Sequence, residues 1–201
     1  MKIDPRHKNK IFPIESVNAY RDDYVKELAS SISSIEESVI TEATNLLLEY
    51  YTNDNYIFSI GNGGSQAISD HLCCDFVKGT FQSPQKRFRV IPLASLVSLN
   101  SAAANDFGHD YSFAKMIEFL GDKKSLLIAI SSSGNSKNII EAVKLNKKIG
   151  GRTIGMSGFD GGELNHISDI SIHVNSNNYG IVEDAHQSLV HIFSQFIVNS
   201  N

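Results

Sequence analysis

The sequence predicts an α/β protein built on a doubly wound parallel sheet flanked by helices. Short apolar runs alternate with segments of helical period along most of the chain. Two of those runs, "SIG" and "AIS", pass straight into glycine- and serine-rich turns that open helices. A length of 201 residues without a linker-like or low-complexity stretch fits one domain over 1–201, with a helical region over 1–52 and an α/β core over 53–201.

Residues 15–51 read as helix, because Val17, Tyr20, Tyr24, Leu28, Ile32 and Ile35 recur at steps of three and four and Val39–Leu48 continues the series. Ser34 and Glu37 have the spacing of a capping box and divide the region in two. Such an amphipathic extension must cover its apolar face with the sheet, another subunit, or both. "YIFSIG" is the first strand, followed by the glycine turn and a helix over about 65–77. "FRVIPLAS" is a second strand, and "NSAAANDFGHDYSFAKMIEFL" a loop and a helix. "SLLIAIS", "RTIGMSG" and "ISDISIHVN" are further strands, with the helix "KNIIEAVKLNKKIG" after the first of them and a last helix over about 181–198. The alternation implies right-handed crossovers and a sheet covered on both faces.

A net charge of −4 gives no support to a nucleic-acid-binding surface. The basic "KRFR", Lys86–Arg89, reads as a solvated strand entrance. No apolar run approaches the roughly 18 residues needed to span a bilayer. Cys73 and Cys74 are adjacent and badly placed for a mutual disulfide, so they read as small buried helix residues in a reducing cytoplasm.

Chemistry concentrates at the two turns, "SIGNGGS" and "AISSSGNS". Glycine lets the backbone approach a ligand, and the N–H groups opening a helix favour an anion. Ser131, Ser132, Ser133 and Ser136 add hydroxyl donors around a phosphate-sized group. Neither G-x-x-x-x-G-K-[ST] nor G-x-G-x-x-G is present, so a nucleotide P-loop and a dinucleotide site are not expected. His71 and Asp75 lie four residues apart, hence on one helical face. Glu183, Gln187 and His191 repeat that step on the last helix. Two helices each presenting an imidazole and a carboxylate suit Zn²⁺ or a similar divalent ion. His186 reads as a helix-surface histidine, and His109, His166 and His173 have no partner at ligand spacing.

"GNGGSQAISDHLCCDF", "AANDFG", "ISSSGNS" and "VEDAHQSLVHIF" together resemble the sugar isomerase (SIS) domain over nearly the whole chain, and within it the phosphoheptose isomerases. The resemblance implies a flavodoxin-like three-layer fold. It also implies an activity: sedoheptulose 7-phosphate converted to D-glycero-D-manno-heptose 7-phosphate through an enediol. In that family one helix carries a His and a Glu, and the last helix a Gln and a His, as metal ligands. Here His71 and His191 match, Asp75 stands for the Glu and Glu183 for the Gln, so the implied set is His71, Asp75, Glu183 and His191, with zinc the expected ion. Asp75 is then the base and His191 the acid. Asn62, Gly63, Gly64, Ser65, Asn105, Asp106 and Glu183 contact the sugar, and the four serines hold the phosphate. Gly180 stands where the family has an acidic residue, which removes one sugar contact.

The resemblance further implies a cytoplasmic homotetramer with sites at subunit boundaries, serving lipopolysaccharide or capsule heptose synthesis. Two alternatives share the loops: a non-catalytic SIS protein that binds a phosphosugar or a protein, and an isomerase of another phosphosugar. The His/acid pairs favour catalysis. A DNA-binding SIS regulator is not expected, since no helix-turn-helix pattern precedes the first strand.

Overall fold

The N-terminal periodicity resolves into two helices, α1 (Val17–Ser33) and α2 (Glu37–Thr52). The structure, a computed structural model, describes residues 12, 13 and 15–200. Ser16 caps α1 by accepting from the Ala19 N–H at 3.1 Å. The capping-box reading of Ser34 is corrected: its hydroxyl donates back to the Ser31 carbonyl at 2.9 Å, and Glu36 is the N-cap of α2. Ser34 therefore ends the first helix instead of starting the second.

Beyond them come β1 (Tyr56–Ile60), α3 (Gly64–Cys73), β2 (Arg89–Pro92), α4 (Val97–Phe107) and α5 (Ser112–Leu120). Then follow β3 (Leu126–Ser131), α6 (Lys137–Lys148), β4 (Arg152–Ser157), α7 (Gly162–Ile167), β5 (Ile170–His173) and α8 (Tyr179–Asn199). Three details depart from the sequence reading. The stretch expected as a loop before α5 is the helix α4, where consecutive alanines Ala102–Ala104 supply strong helix propensity. Helix α3 continues as one wide π-turn, Cys74–Gly79. The short α7 lies between β4 and β5.

All five strands are parallel, in the order β2-β1-β3-β4-β5. The chain steps outward from β1 to β2, then crosses back to β3 on the other side. The switch of direction therefore falls between β1 and β3, whose carboxyl ends carry the two glycine–serine turns. In an open α/β sheet a ligand settles at that crevice.

Alternation along the strands divides the interior. Leu126, Ile128 and Ile130 of β3 face one core with Leu46 and Leu47 of α2, Leu72 of α3 and Leu189 and Phe193 of α8. Leu127 and Ala129 face the other core, with Phe113 and Ile117 of α5 and Ile139 and Val143 of α6. Each such leucine or isoleucine contributes about 1.5–3 kcal/mol by leaving water. Helix α1 lies outside both layers, laying Leu28 and Ile32 on Val182 and Ala185 of α8. The "KRFR" segment enters β2 through Arg87 and Arg89, which share the Asp54 carboxylate at 3.1 and 2.5 Å.

Candidate active site

Each glycine–serine turn is shaped by what it must approach. Gly63 adopts φ +55°, a conformation that disfavours a side chain. The following Gly64 opens α3 with the Glu183 carboxylate lying where its Cβ would stand. The second turn is braced internally, with the Ser131 hydroxyl 3.3 Å from that of Ser136. A reciprocal amide pair, Asn62 with Asn138, joins the two turns through bonds of 2.9 Å each way. Asn138 was not singled out from the sequence; its place one residue into α6 beside a serine cap was the available signal.

These residues enclose a cavity of about 300 Å³ lined by Asn62, Gly63, Gly64 and Ser65 from one turn and Ser131, Ser132, Ser133 and Ser136 from the other, with Tyr179 and Glu183 across from them. The N-termini of α3, α6 and α8 border it, and among the described residues no Lys or Arg lines it. Ser132 is buried, and its hydroxyl has no hydrogen-bond partner among the described residues. Glu183 is held above the ordinary carboxylate pKa, first by burial and then by the charge of Asp184.

Farther along α3, its π-turn extension and α8, His71, Asp75 and His191 bring their ligand atoms within 4.8 Å of one another. Asp75 Oδ1 lies 3.4 Å from His71 Nε2, and Oδ2 lies 2.7 Å from His191 Nδ1. Oδ2 is buried, and that short approach is not aligned as a hydrogen bond. Two imidazoles and a carboxylate with lone pairs converging at this distance fit a divalent cation. Gln187 shares the Glu183–His191 face of α8. Its amide stands 3.2 Å from His191 Nε2 and orients the ring with Nδ1 toward Asp75.

The structure thus unites three of the four anticipated ligands. Glu183 lies outside that cluster, two helical turns back, against the serine cavity. Asn105 and Asp106 end α4, exposed, with the Asn105 amide donating to Asp106 at 2.9 Å, and neither lines the cavity. Two further readings are corrected. His186 is fully buried on α8 instead of lying on its surface, because it occupies one slot of the apolar series Val182, Ala185, Leu189 and Phe193. Cys74 is exposed and Cys73 half-buried, with Cys73 Sγ 3.5 Å from the Val90 carbonyl; both are free thiols. His109 Nε2 stands 3.5 Å from the Asn138 amide behind the cavity. His173 Nε2 lies 3.1 Å from the Phe159 carbonyl. Among the described residues, no helix is long and apolar enough to cross a membrane.

A parallel sheet with serine turns at its switch point and a His/Asp/His group beside it defines a phosphosugar-handling SIS protein. The chain belongs to the SIS-domain family, whose model matches residues 20–158. Within that family its relatives are phosphoheptose isomerases. It is 34% identical to that of Helicobacter pylori (strain P12) over 85% of this chain and 88% of the relative. Identity to that of Aliarcobacter butzleri (strain RM4018) is 35%, over 86% and 90%. In three dimensions it is similar to phosphoheptose isomerase GmhA from Neisseria gonorrhoeae, with a TM-score of 0.82, 27% identity, and coverage of 91% of this chain and 97% of the other.

Proposed function

We propose that this protein is a sedoheptulose 7-phosphate isomerase that forms D-glycero-D-manno-heptose 7-phosphate through a cis-enediol. The observation that carries this reading is the separation of the two clusters along the parallel helices α3 and α8. Gly64 precedes His71 by seven residues and Glu183 precedes His191 by eight, an axial offset of about 10–12 Å at 1.5 Å per residue. An extended ketoheptose 7-phosphate spans about 10 Å from phosphorus to C1, taking about 1.25 Å of advance for each of its bonds. A phosphate seated among the serines therefore delivers C1 and C2 to His71, Asp75 and His191.

In this reading the phosphate takes the hydroxyls of Ser131, Ser132, Ser133 and Ser136 and the N–H groups opening α3 and α6. Asn62, Gly63, Gly64 and Ser65 border the chain, and Glu183 accepts from sugar hydroxyls. Asp75 removes the C1 proton of the ketose and returns it to C2. His191 carries the second proton from O1 to O2, with Gln187 holding its ring. His71, Asp75 and His191 would hold a divalent ion, zinc for preference given the donor set, whose chemistry is to polarise the carbonyl and stabilise the enediolate.

Exposed apolar groups support assembly as a homotetramer with sites shared between subunits. Helix α4 buries only Ala103, and Val97 is 72% exposed. Ile192 and Phe196 of α8 stand open beside Ile40 and Leu48 of α2. Asn105 and Asp106, exposed and outside the lining of their own cavity, would then reach the sugar of a neighbouring copy. The unpaired cysteines suit a cytoplasmic enzyme, here placed in heptose supply for surface polysaccharide.

The decisive experiment is isomerisation of sedoheptulose 7-phosphate by metal-stripped protein with and without added Zn²⁺, alongside His191→Ala. Zinc-dependent turnover lost in the variant is expected. A folded tetramer that turns over nothing with zinc present sinks the proposal.

A further inference from the structure

The first turn of α8 is built from two layers of side chains. Glu183 faces the serine cavity, and Gly180, three residues earlier on the same helical face, has no side chain to offer. The space at Gly180 is filled from another element: the Tyr24 hydroxyl of α1 stands 2.8 Å from where a Cβ would be. That hydroxyl donates to Asp184 Oδ2 at 2.7 Å, a bond between residues 160 apart in sequence. The phenol ring is steadied by Phe12, packed edge-on with centroids 6.1 Å apart. Burial first, and then the bond to Asp184, push the Tyr24 pKa well above its ordinary value, with the charge of Glu183 adding to the effect. The hydroxyl thus remains a donor throughout the neutral range.

We propose that Tyr24 is a positioning residue of the sugar site: it closes the corner left by Gly180 and, by holding Asp184, sets the N-terminal end of α8 so that Glu183 lies over Gly64. This rests on the isomerase reading of the same site. The network ends on Gly64 of the β1 turn, whereas the four serines belong to the β3 turn, which is braced by the Ser131–Ser136 contact and the Asn62–Asn138 pair. Loss of the phenol hydroxyl therefore loosens the grip on the sugar and leaves the grip on the phosphate.

Three proteins test it: Tyr24→Phe, Gly180→Ala and the double variant. Each is measured for kcat and KM with sedoheptulose 7-phosphate, for inorganic phosphate affinity by calorimetry, and for Tm. Tyr24→Phe is expected to raise KM about tenfold with kcat within about twofold, the signature of lost uniform binding. Phosphate affinity should stay unchanged. Gly180→Ala places a methyl against the phenol oxygen and should act alike, while the double variant is no worse than either single one, because both break the same contact. An unchanged KM with only a lowered Tm, or fully additive effects, overturns the proposal. If the unmodified protein turns over no sedoheptulose 7-phosphate, the isomerase reading fails separately, and calorimetry with that sugar phosphate then decides. Weaker binding by Tyr24→Phe at equal phosphate affinity sustains the positioning role, whereas equal or absent binding overturns it.

Discussion

Acidification should destabilise this protein through one side chain, His186. It is fully buried, and its Nε2 lies 3.1 Å from the Ser157 carbonyl, which also accepts the Val174 N–H at 2.9 Å. A carbonyl partner requires the proton on Nε2, so the neutral ring leaves Nδ1 as a lone pair with no hydrogen-bond partner among the described residues. Burial pushes the pKa from 6.5 down to about 4, and His173 acts in the same direction, while the bond to Ser157 opposes both. The folded pKa lies below the unfolded one, so the contribution is fully present above pH 6.5 and is lost as pH falls toward 4. The gap corresponds to about 3 kcal/mol in all, of which about 2 kcal/mol has gone by pH 5. Urea unfolding at pH 7.5 and pH 5, followed by circular dichroism, reads the effect directly. The unmodified protein should lose about 2 kcal/mol more between those pH values than His186→Leu, whose site cannot be protonated. Equal losses in the two proteins, or a His186 ring titrating above pH 6 by NMR, would refute the reasoning.

Two further substitutions separate stability from binding. Ser132→Ala removes a buried hydroxyl that has no partner among the described residues, so unfolding free energy should hold or rise slightly. The same change should weaken phosphate binding measured by calorimetry about ten- to a hundredfold, the worth of one hydrogen bond to a charged group; unaltered binding would remove Ser132 from the phosphate site. Tyr51→Phe deletes the buried bond from Tyr51 Oη to the Thr80 carbonyl at 2.7 Å. It should cost about 1–2 kcal/mol in urea unfolding with kcat and KM unchanged.

Much of the architecture was legible because it depends on neighbours in the chain. The serine turns declare themselves through residue types that only a tight strand-to-helix junction requires, and the structure brings both turns to one cavity. His71 and Asp75 share a face because four residues complete about one turn, and their carboxylate and imidazole are 3.4 Å apart. The alanines of α4 are a local helix signal too, since their propensity outweighs the polar residues around them.

The sequence by itself determined the fold class, the parallel sheet implied by alternating elements, and the chemistry available at each turn, since period and propensity act locally. Tertiary structure alone decided which face of α8 meets which partner. That rotation buries His186, points Glu183 at Gly64 instead of at the His/Asp/His group, and lets Tyr24 reach Asp184 across the fold. A helix presents several faces at nearly equal local cost. The choice among them is made by packing between segments far apart in sequence, which no local pattern records.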